Sequence, residues 1–503
     1  MMNGNEYKES LRKIHPTIYY MGEKIDCVVD HPMTAPHVNS AAMTYELAFD
    51  PMYENLMTAT SHLTGKKVNR FTHIHQSTED LVNKVKMMRM IAQKTGTCFQ
   101  RCVGFDAMNA TFITTYNIDK DHGTDYHKRF TEWMKYVQEN DLMIAGAMTD
   151  VKGNRSLKPS HQEDPDLFTH VVEKREDGIV IRGAKAHMTG MANSHEMLIL
   201  PTTNLLPGDE DYAIACAVPV DAEGVTHIFG RQTNDQRRLQ GDIDTGNSEY
   251  AIVGGETLTV LDNVFVPWER VFMCGEIEYA QDYVARFAAY HRQNYGGCKV
   301  GNSDVLIGAT SLIAKMNGTN KASHIKDKLI EMTHLAETMY CCSLACSYEG
   351  VKEEAGSYYV NTLLANEVKL NCTRNMYEIS RLAHDIAGGF IATLPHEWDL
   401  KNPETGKWIE KFFVGNAEYS AKDRIKIARL LENMSGGTAL AESMHGAGSP
   451  QGIVISERRN SLVACFLHPY FELSLSMKSS ARDGISSLLS LRGGIFIEIT
   501  FSL

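Results

Sequence analysis

Gly178-Ile-Val-Ile181, Met197-Leu-Ile-Leu200, Tyr212-Ala-Ile-Ala215 and Leu258-Thr-Val-Leu261 are short runs rich in Val and Ile, separated by Gly, Pro, Asn and Asp. Such runs mark strands, and here they interrupt a chain whose flanks read as helical. They predict a β domain over residues 148–275. Upstream, residues 1–147 read as mostly helical. Ser77-Thr-Glu-Asp80 has the form of a capping box, and Leu81, Val85 and Met88 recur behind it on one face. That helix is expected to run on toward Cys98 and Cys102. Downstream, helical stretches return over 276–451, among them Ser323 to Tyr348 and Tyr358 to Ala387, with Gly388-Gly389 as a stop. The order predicts an α+β fold: an N-terminal helical domain, a middle β domain and a C-terminal helical bundle. Residues 452–503 follow neither periodicity and are assigned no fold.

Length and composition agree with several domains and real cores, since the chain has 503 residues of which 43% are hydrophobic. Met1 to Asp30 mixes charged residues with single apolar ones and lacks the apolar run of a leader or anchor, so a cytoplasmic protein with no membrane partner is expected. A formal net charge of -12 opposes nucleic-acid binding, which needs a concentrated basic surface. Lys84, Lys86 and Arg89 offer a local patch for an anionic small molecule such as coenzyme A, although a solvated helix face reads them more simply.

Eleven cysteines, an odd number scattered over a long chain, point to thiols or metal ligands in a reducing compartment instead of a disulfide framework. In Thr97-Cys-Phe-Gln-Arg-Cys102 the two cysteines are four residues apart, which on a helix sets both thiols on one face. His291-Arg-Gln-Asn-Tyr-Gly-Gly-Cys-Lys299 adds an imidazole and a thiol, with a Gly-Gly hinge before the thiol. Three thiolates and an imidazole suit a tetrahedral zinc ion or an iron-sulfur cluster, and the spacing leaves both open. Cys341, Cys342 and Cys346 lie in an apolar helical stretch and read as small residues at a helix contact. Cys27, Cys216, Cys274, Cys372 and Cys465 are isolated. No G-x-G-x-x-G follows a strand, so a Rossmann mode of dinucleotide binding is not expected.

Thr97-Cys-Phe-Gln-Arg-Cys-Val-Gly104, Tyr290-His-Arg-Gln-Asn-Tyr-Gly-Gly-Cys-Lys-Val-Gly301 and Glu442-Ser-Met-His-Gly-Ala-Gly-Ser-Pro-Gln451 resemble segments of the 4-hydroxybutyryl-CoA dehydratase and vinylacetyl-CoA Δ-isomerase family. That family is a branch of acyl-CoA dehydrogenase-like flavoproteins that also contains 4-hydroxyphenylacetate 3-monooxygenases. The similarity runs to Gln451. It implies an oxygen-sensitive homotetramer that takes an acyl-CoA substrate, with FAD and a [4Fe-4S] cluster on Cys98, Cys102, His291 and Cys298. It implies flavin contacts at Met148, Thr149, Asp150, Arg155, Lys185, His187 and Thr189 and, from a neighbouring subunit, around Ala383, Asp385 and Ala387. It sets His291, Tyr295, Glu256, Glu442, Lys299 and Thr189 near the substrate, with His445 a weaker candidate. The implied reaction is a radical dehydration of 4-hydroxybutyryl-CoA, in which FAD takes an electron so that the unactivated C3 proton becomes acidic. A flavin monooxygenase on the same fold leaves the four ligand residues unexplained. An iron-sulfur sensor or zinc scaffold leaves the β domain idle.

Overall fold

The helix over Thr78–Thr95 is where sequence and structure first diverge. In the computed structural model, which describes residues 1–233, 235–247, 249–250, 254–450, 474–475, 486–490 and 496–500, Ser77 caps this helix by accepting from the Asp80 N–H. Asp80 does not close a reciprocal box. Its carboxylate accepts from the Gln76 N–H at 2.9 Å and pairs with Arg70 at 2.9 Å. The helix ends at Gly96, which takes a left-handed φ of 63° that a side chain would strain. Cys98 therefore lies in the turn beyond it, and Cys102 opens the next helix, Cys102–His122. The two thiols come together through this turn and not through a shared helical face.

The sheet region is built from two sheets. The larger runs in the order Glu23–Ile25, Thr17–Tyr20, Val225–Phe229, Glu256–Pro267, Gly178–Thr189 and His170–Lys174. The smaller runs Val271–Cys274, Ile214–Pro219, Glu196–Ile199 and Ile144–Ala147. Most neighbours are antiparallel; Thr17–Tyr20 on Val225–Phe229 and Ile144–Ala147 on Glu196–Ile199 are parallel. The N-terminal part thus supplies three strands to these sheets, which its polar, interrupted texture did not disclose. One core joins the layers: Ala107, Ile113 and Phe130 of helices, Ile179, Leu198 and Val264 of strands, and Tyr283 and Tyr290 of the long helix pack in one cluster.

That helix, Ile277–Met316, has 40 residues and is about 60 Å long at 1.5 Å per residue. Gly296 and Gly297 lie inside it and make no hinge. A Cβ on Gly296 would stand 2.2 Å from Ser343 Cβ, and one on Gly297 would stand 2.6 Å from the Val85 carbonyl oxygen. The pair lets the Ser323–Tyr348 and Thr78–Thr95 helices close on both sides of the His291 to Lys299 face. Thr362–Ala387, capped by Asn361 through the Leu364 N–H, forms a second core with the long helix and Ser323–Tyr348 around Val300, Ile313, Met339 and Ile379.

By internal contacts the chain divides into residues 1–447 and 448–503. Of the second unit, the described residues beyond 450 form a three-stranded antiparallel sheet over Ser474–Leu475, Ser486–Ser490 and Phe496–Thr500; the rest of the 452–503 tail lies outside the described residues.

Candidate active site

His291, Tyr295 and Lys299 stand four residues apart on the long helix and so line one buried stripe, with Cys298 beside it. At its first position, the His291 ring stacks on Phe287 with centroids 5.5 Å apart and meets the Tyr295 ring edge-on at 5.7 Å. His291 Nδ1 is 2.8 Å from Asp106 Oδ2. Asp106 also takes a hydrogen bond from the Asn294 amide and a 2.5 Å ion pair from Lys84, whose ammonium donates further to the Tyr290 carbonyl at 3.0 Å. A carboxylate held in this way accepts from an N–H. Nδ1 therefore donates to Asp106, and Nε2 is left without a hydrogen-bond partner among the described residues.

At the third position Lys299 Nζ is 3.0 Å from Glu442 Oε1, on the Gly437–His445 helix. Buried beside that carboxylate, the Lys299 ammonium is held well above its ordinary range. Glu256, the first residue of its strand, receives the Thr189 hydroxyl, which is 2.8 Å from both carboxylate oxygens. Burial and then the Glu442 charge push the Glu256 carboxyl up to about 8, against the opposing pull of Thr189 and Lys299. The two carboxylates thus sit in different environments: Glu442 is ion-paired, and Glu256 keeps its proton near neutral pH.

The three thiols of the predicted ligand set gather at this stripe. Burial and the neighbouring Glu442 carboxylate raise Cys98 well above the ordinary thiol range, burial and the Cys98 and Cys298 thiols raise Cys102, and burial raises Cys298 to about 12. None of the three is in a disulfide. Among the described residues no three His, Cys, Asp or Glu side chains converge tightly enough to hold a single metal ion. The donor chemistry nevertheless suits a larger soft centre: three crowded thiols become stable as thiolates only beside a strong cation, and His291 Nε2 is free to ligate.

The expected flavin segments meet at a turn. Asp150 bridges to Lys185, and the Ala186 N–H donates to the Thr149 carbonyl at 2.8 Å. Asp150 and Lys185 are both buried and face each other at 2.9 Å, with the Lys185 ammonium also donating to the Met148 and Leu200 carbonyls. Their charges therefore shape the turn. Met148, Thr149 and Thr189 are half-buried, Arg155 and His187 are exposed, and His187 has a φ of 61°. Met148, Thr149 and Thr189 leave a mixed apolar and hydroxyl edge of the kind a flavin ring can pack on. Far along the chain, Ala383 and Ala387 are buried in the helical core, and Asp385 pairs with Lys328 at 2.7 Å.

Other residues differ from their sequence reading. Lys84 and Arg89 form no solvated face: Lys84 is wholly buried, and Arg89 pairs with Asp304 at 2.8 Å and lies 4.4 Å from the Tyr340 ring centre. His445 is exposed, and of the second cysteine group only Cys346 is buried, with Cys341 exposed. Asp106 and Lys369 were not anticipated. The legible signals were a carboxylate four residues after Cys102 in an apolar helix, and the H-x3-Y-x3-K spacing, which demands a lining on the facing helices.

Two family models match, 4-hydroxyphenylacetate 3-hydroxylase N terminal over residues 3–273 and C terminal over residues 280–462. The chain belongs to the 4-hydroxyphenylacetate 3-hydroxylase family. Within that class it is 55% identical over 476 residues to the 4-hydroxybutyryl-CoA dehydratase/vinylacetyl-CoA-Delta-isomerase of Clostridium aminobutyricum, covering 92% of this chain and 97% of the relative. A solved structure of an oxygen-tolerant archaeal 4-hydroxybutyryl-CoA dehydratase from N. maritimus is similar at 50% identity and a TM-score of 0.89, over 92% of this chain and 94% of the other. The oxygenase component (HpaB) of 4-hydroxyphenylacetate 3-monooxygenase, solved with FAD, is similar at 25% identity and a TM-score of 0.80, over 93% and 98%.

Proposed function

We propose that this chain dehydrates 4-hydroxybutyryl-CoA to crotonyl-CoA and also isomerises vinylacetyl-CoA. The observation that carries the reading is the buried stripe of His291, Tyr295 and Lys299, closed by Glu442 and Glu256 beside three thiols. It is supported by 55% identity to a dehydratase along nearly the whole chain. Cys98, Cys102, Cys298 and His291 are the residues to hold a [4Fe-4S] cluster, and Met148 to Asp150 with Lys185 to Thr189 the residues to hold FAD. When bound, these groups supply one-electron chemistry and a Lewis acid for the departing hydroxyl. The protein's own part is proton management. His291, oriented through Nδ1 by Asp106, has only Nε2 to offer: that atom would hold the cluster at rest and, once released from it, take the proton from C2 of the acyl chain. Glu256 holds a proton for the leaving hydroxyl or for return to carbon. Lys299 neutralises Glu442, so that two carboxylates can share one buried site. A homotetramer in the cytoplasm completes the proposal, the segment Ala383 to Ala387 of a second copy closing the flavin site.

The reading is tested on anaerobically purified protein given 4-hydroxybutyryl-CoA, with iron, sulfide, zinc and flavin measured on the same sample. Crotonyl-CoA formation, bound flavin and about four iron atoms per chain are expected. One zinc per chain with no sulfide, or hydroxylation of a phenol by the reduced flavoprotein, sinks it. Activity is expected to decline on exposure to air, and undiminished turnover after long aeration counts against an oxygen-sensitive centre in this chain.

The Glu256 carboxyl supplies a pH test. Its folded pKa of about 8 lies above the ordinary carboxyl range, so between roughly pH 4.5 and 8 the folded chain binds a proton that the unfolded chain has lost. The stability contributed by this group therefore falls as pH rises through that window, and turnover needing the acid form falls above about 8. Glu256→Gln is expected to flatten this part of the pH dependence of the denaturant midpoint and to lower kcat about 10²- to 10⁴-fold, the residual rate lacking the alkaline limb. An unchanged slope and limb in the variant would assign both to another group.

A further inference from the structure

We infer that Lys369 is a positioning residue for this site: from the Thr362–Ala387 helix its ammonium fastens the last turn of the helix carrying Glu442 and lies across the Tyr295 ring, so that the Lys299–Glu442 pair and the phenol are presented as one unit. The inference rests on the proposal that this cluster is the reaction centre.

Lys369 is wholly buried, and its Nζ donates to the Ser443 carbonyl at 2.7 Å. Ser443 directly follows Glu442 and belongs to the last turn of Gly437–His445, where carbonyls have no partner within the helix and the helix dipole is negative. A cation there satisfies an orphan acceptor and the dipole together. The same ammonium stands 4.1 Å from the Tyr295 ring centre, nearer than Lys299 at 5.7 Å. One turn further along the same helix, Cys372 Sγ reaches the same carbonyl at 3.8 Å. One turn earlier, Asn366 accepts from Arg292 at 2.5 Å, and Arg292 also donates to the Ala447 carbonyl at 3.1 Å. The segment from Glu442 to Ala447 is thus tied on both sides of the stripe.

No carboxylate lies within ion-pair distance of Lys369 among the described residues. A buried ammonium without such a partner is costly, and a methionine would fill the space at lower cost. What the charge supplies is orientation. Without it the Ser443 carbonyl keeps only the long, weak Cys372 Sγ contact at 3.8 Å, the last turn relaxes, and Glu442 moves relative to Lys299.

The test compares Lys369→Met and Lys369→Arg in the protein purified with its flavin and iron. Lys369→Met is expected to lower kcat for 4-hydroxybutyryl-CoA about 10- to 100-fold with KM changed little, as a misplaced group does. Flavin and iron contents stay at the wild-type level, and Lys369→Arg recovers most of the loss. In crystal structures the Lys299 Nζ to Glu442 Oε1 distance opens beyond about 4 Å in Lys369→Met and closes again in Lys369→Arg. If the methionine variant does not fold, Lys369→Gln, which keeps a donor to Ser443 without the charge, takes its place. Unchanged kcat with an intact pair overturns the inference, and so does a loss of flavin and iron in step with activity. A wild-type protein inactive on 4-hydroxybutyryl-CoA overturns the reaction assignment alone, because the distances in the variant structures still decide the role of Lys369.

Discussion

Lys84→Met is expected to destabilise the folded protein by about 3–5 kcal/mol, the cost of breaking a buried ion pair from one side. Both partners are completely buried. The ammonium lies 5.5 Å from the Phe105 ring centre and 5.2 Å from that of Tyr290, and among the described residues it is the one lysine or arginine paired with Asp106. Methionine fills a similar volume, so cavity formation is a minor part of the effect. What remains is a carboxylate in a low-dielectric core with only Asn294 and His291 to satisfy it. Denaturant midpoints of Lys84→Met and of Lys84→Met/Asp106→Leu separate the causes. The double variant should regain much of the lost stability, because an apolar pair replaces an orphaned charge. A single-variant loss below about 1 kcal/mol, the level of a surface pair, would show that Asp106 is solvated or protonated and the pair weak.

This pair also shows where sequence reading stops. Helix limits were legible: Ser323 to Tyr348 coincides with its observed helix, and Tyr358 to Ala387 overlaps Thr362–Ala387. Both are marked by local chemistry, apolar periodicity and a glycine stop. The strands at Gly178, Met197 and Leu258 were visible for the same reason, since β-branched runs between turn residues act locally. Ile144–Ala147 was not, because its partner Glu196–Ile199 lies far away in sequence, and Thr17–Tyr20 was not, because its short local pairing with Glu23–Ile25 is completed by the distant Val225–Phe229. Lys84 read as a solvated charge because sequence periodicity places residues on a helix face and leaves open what the face meets. The thiols were found by residue type, but the geometry proposed for Cys98 was wrong. Gly96 ended the helix before it, a signal present in the sequence and outweighed by the four-residue spacing.

His291→Asn is expected to lower kcat for 4-hydroxybutyryl-CoA by about 10²- to 10⁴-fold, the range for loss of a positioned general base. Asparagine is the sharper choice because its amide nitrogen falls near the position of Nδ1. It can keep donating to Asp106, now 2.8 Å from that nitrogen, while the Nε2 lone pair is removed. The buried carboxylate stays satisfied, so the denaturant midpoint should move far less than in Lys84→Met. Exchange of the C2 proton in deuterated water isolates the step, since it needs the base and no loss of hydroxyl. If the proposed role is right, exchange and turnover fall together in His291→Asn. Exchange at the wild-type rate alongside lost turnover would take the base function from His291 and leave it as a ligand alone. Normal turnover would remove it from the chemistry altogether. In either case the stacked Phe287 and the edge-on Tyr295 around the ring would have to be explained by packing.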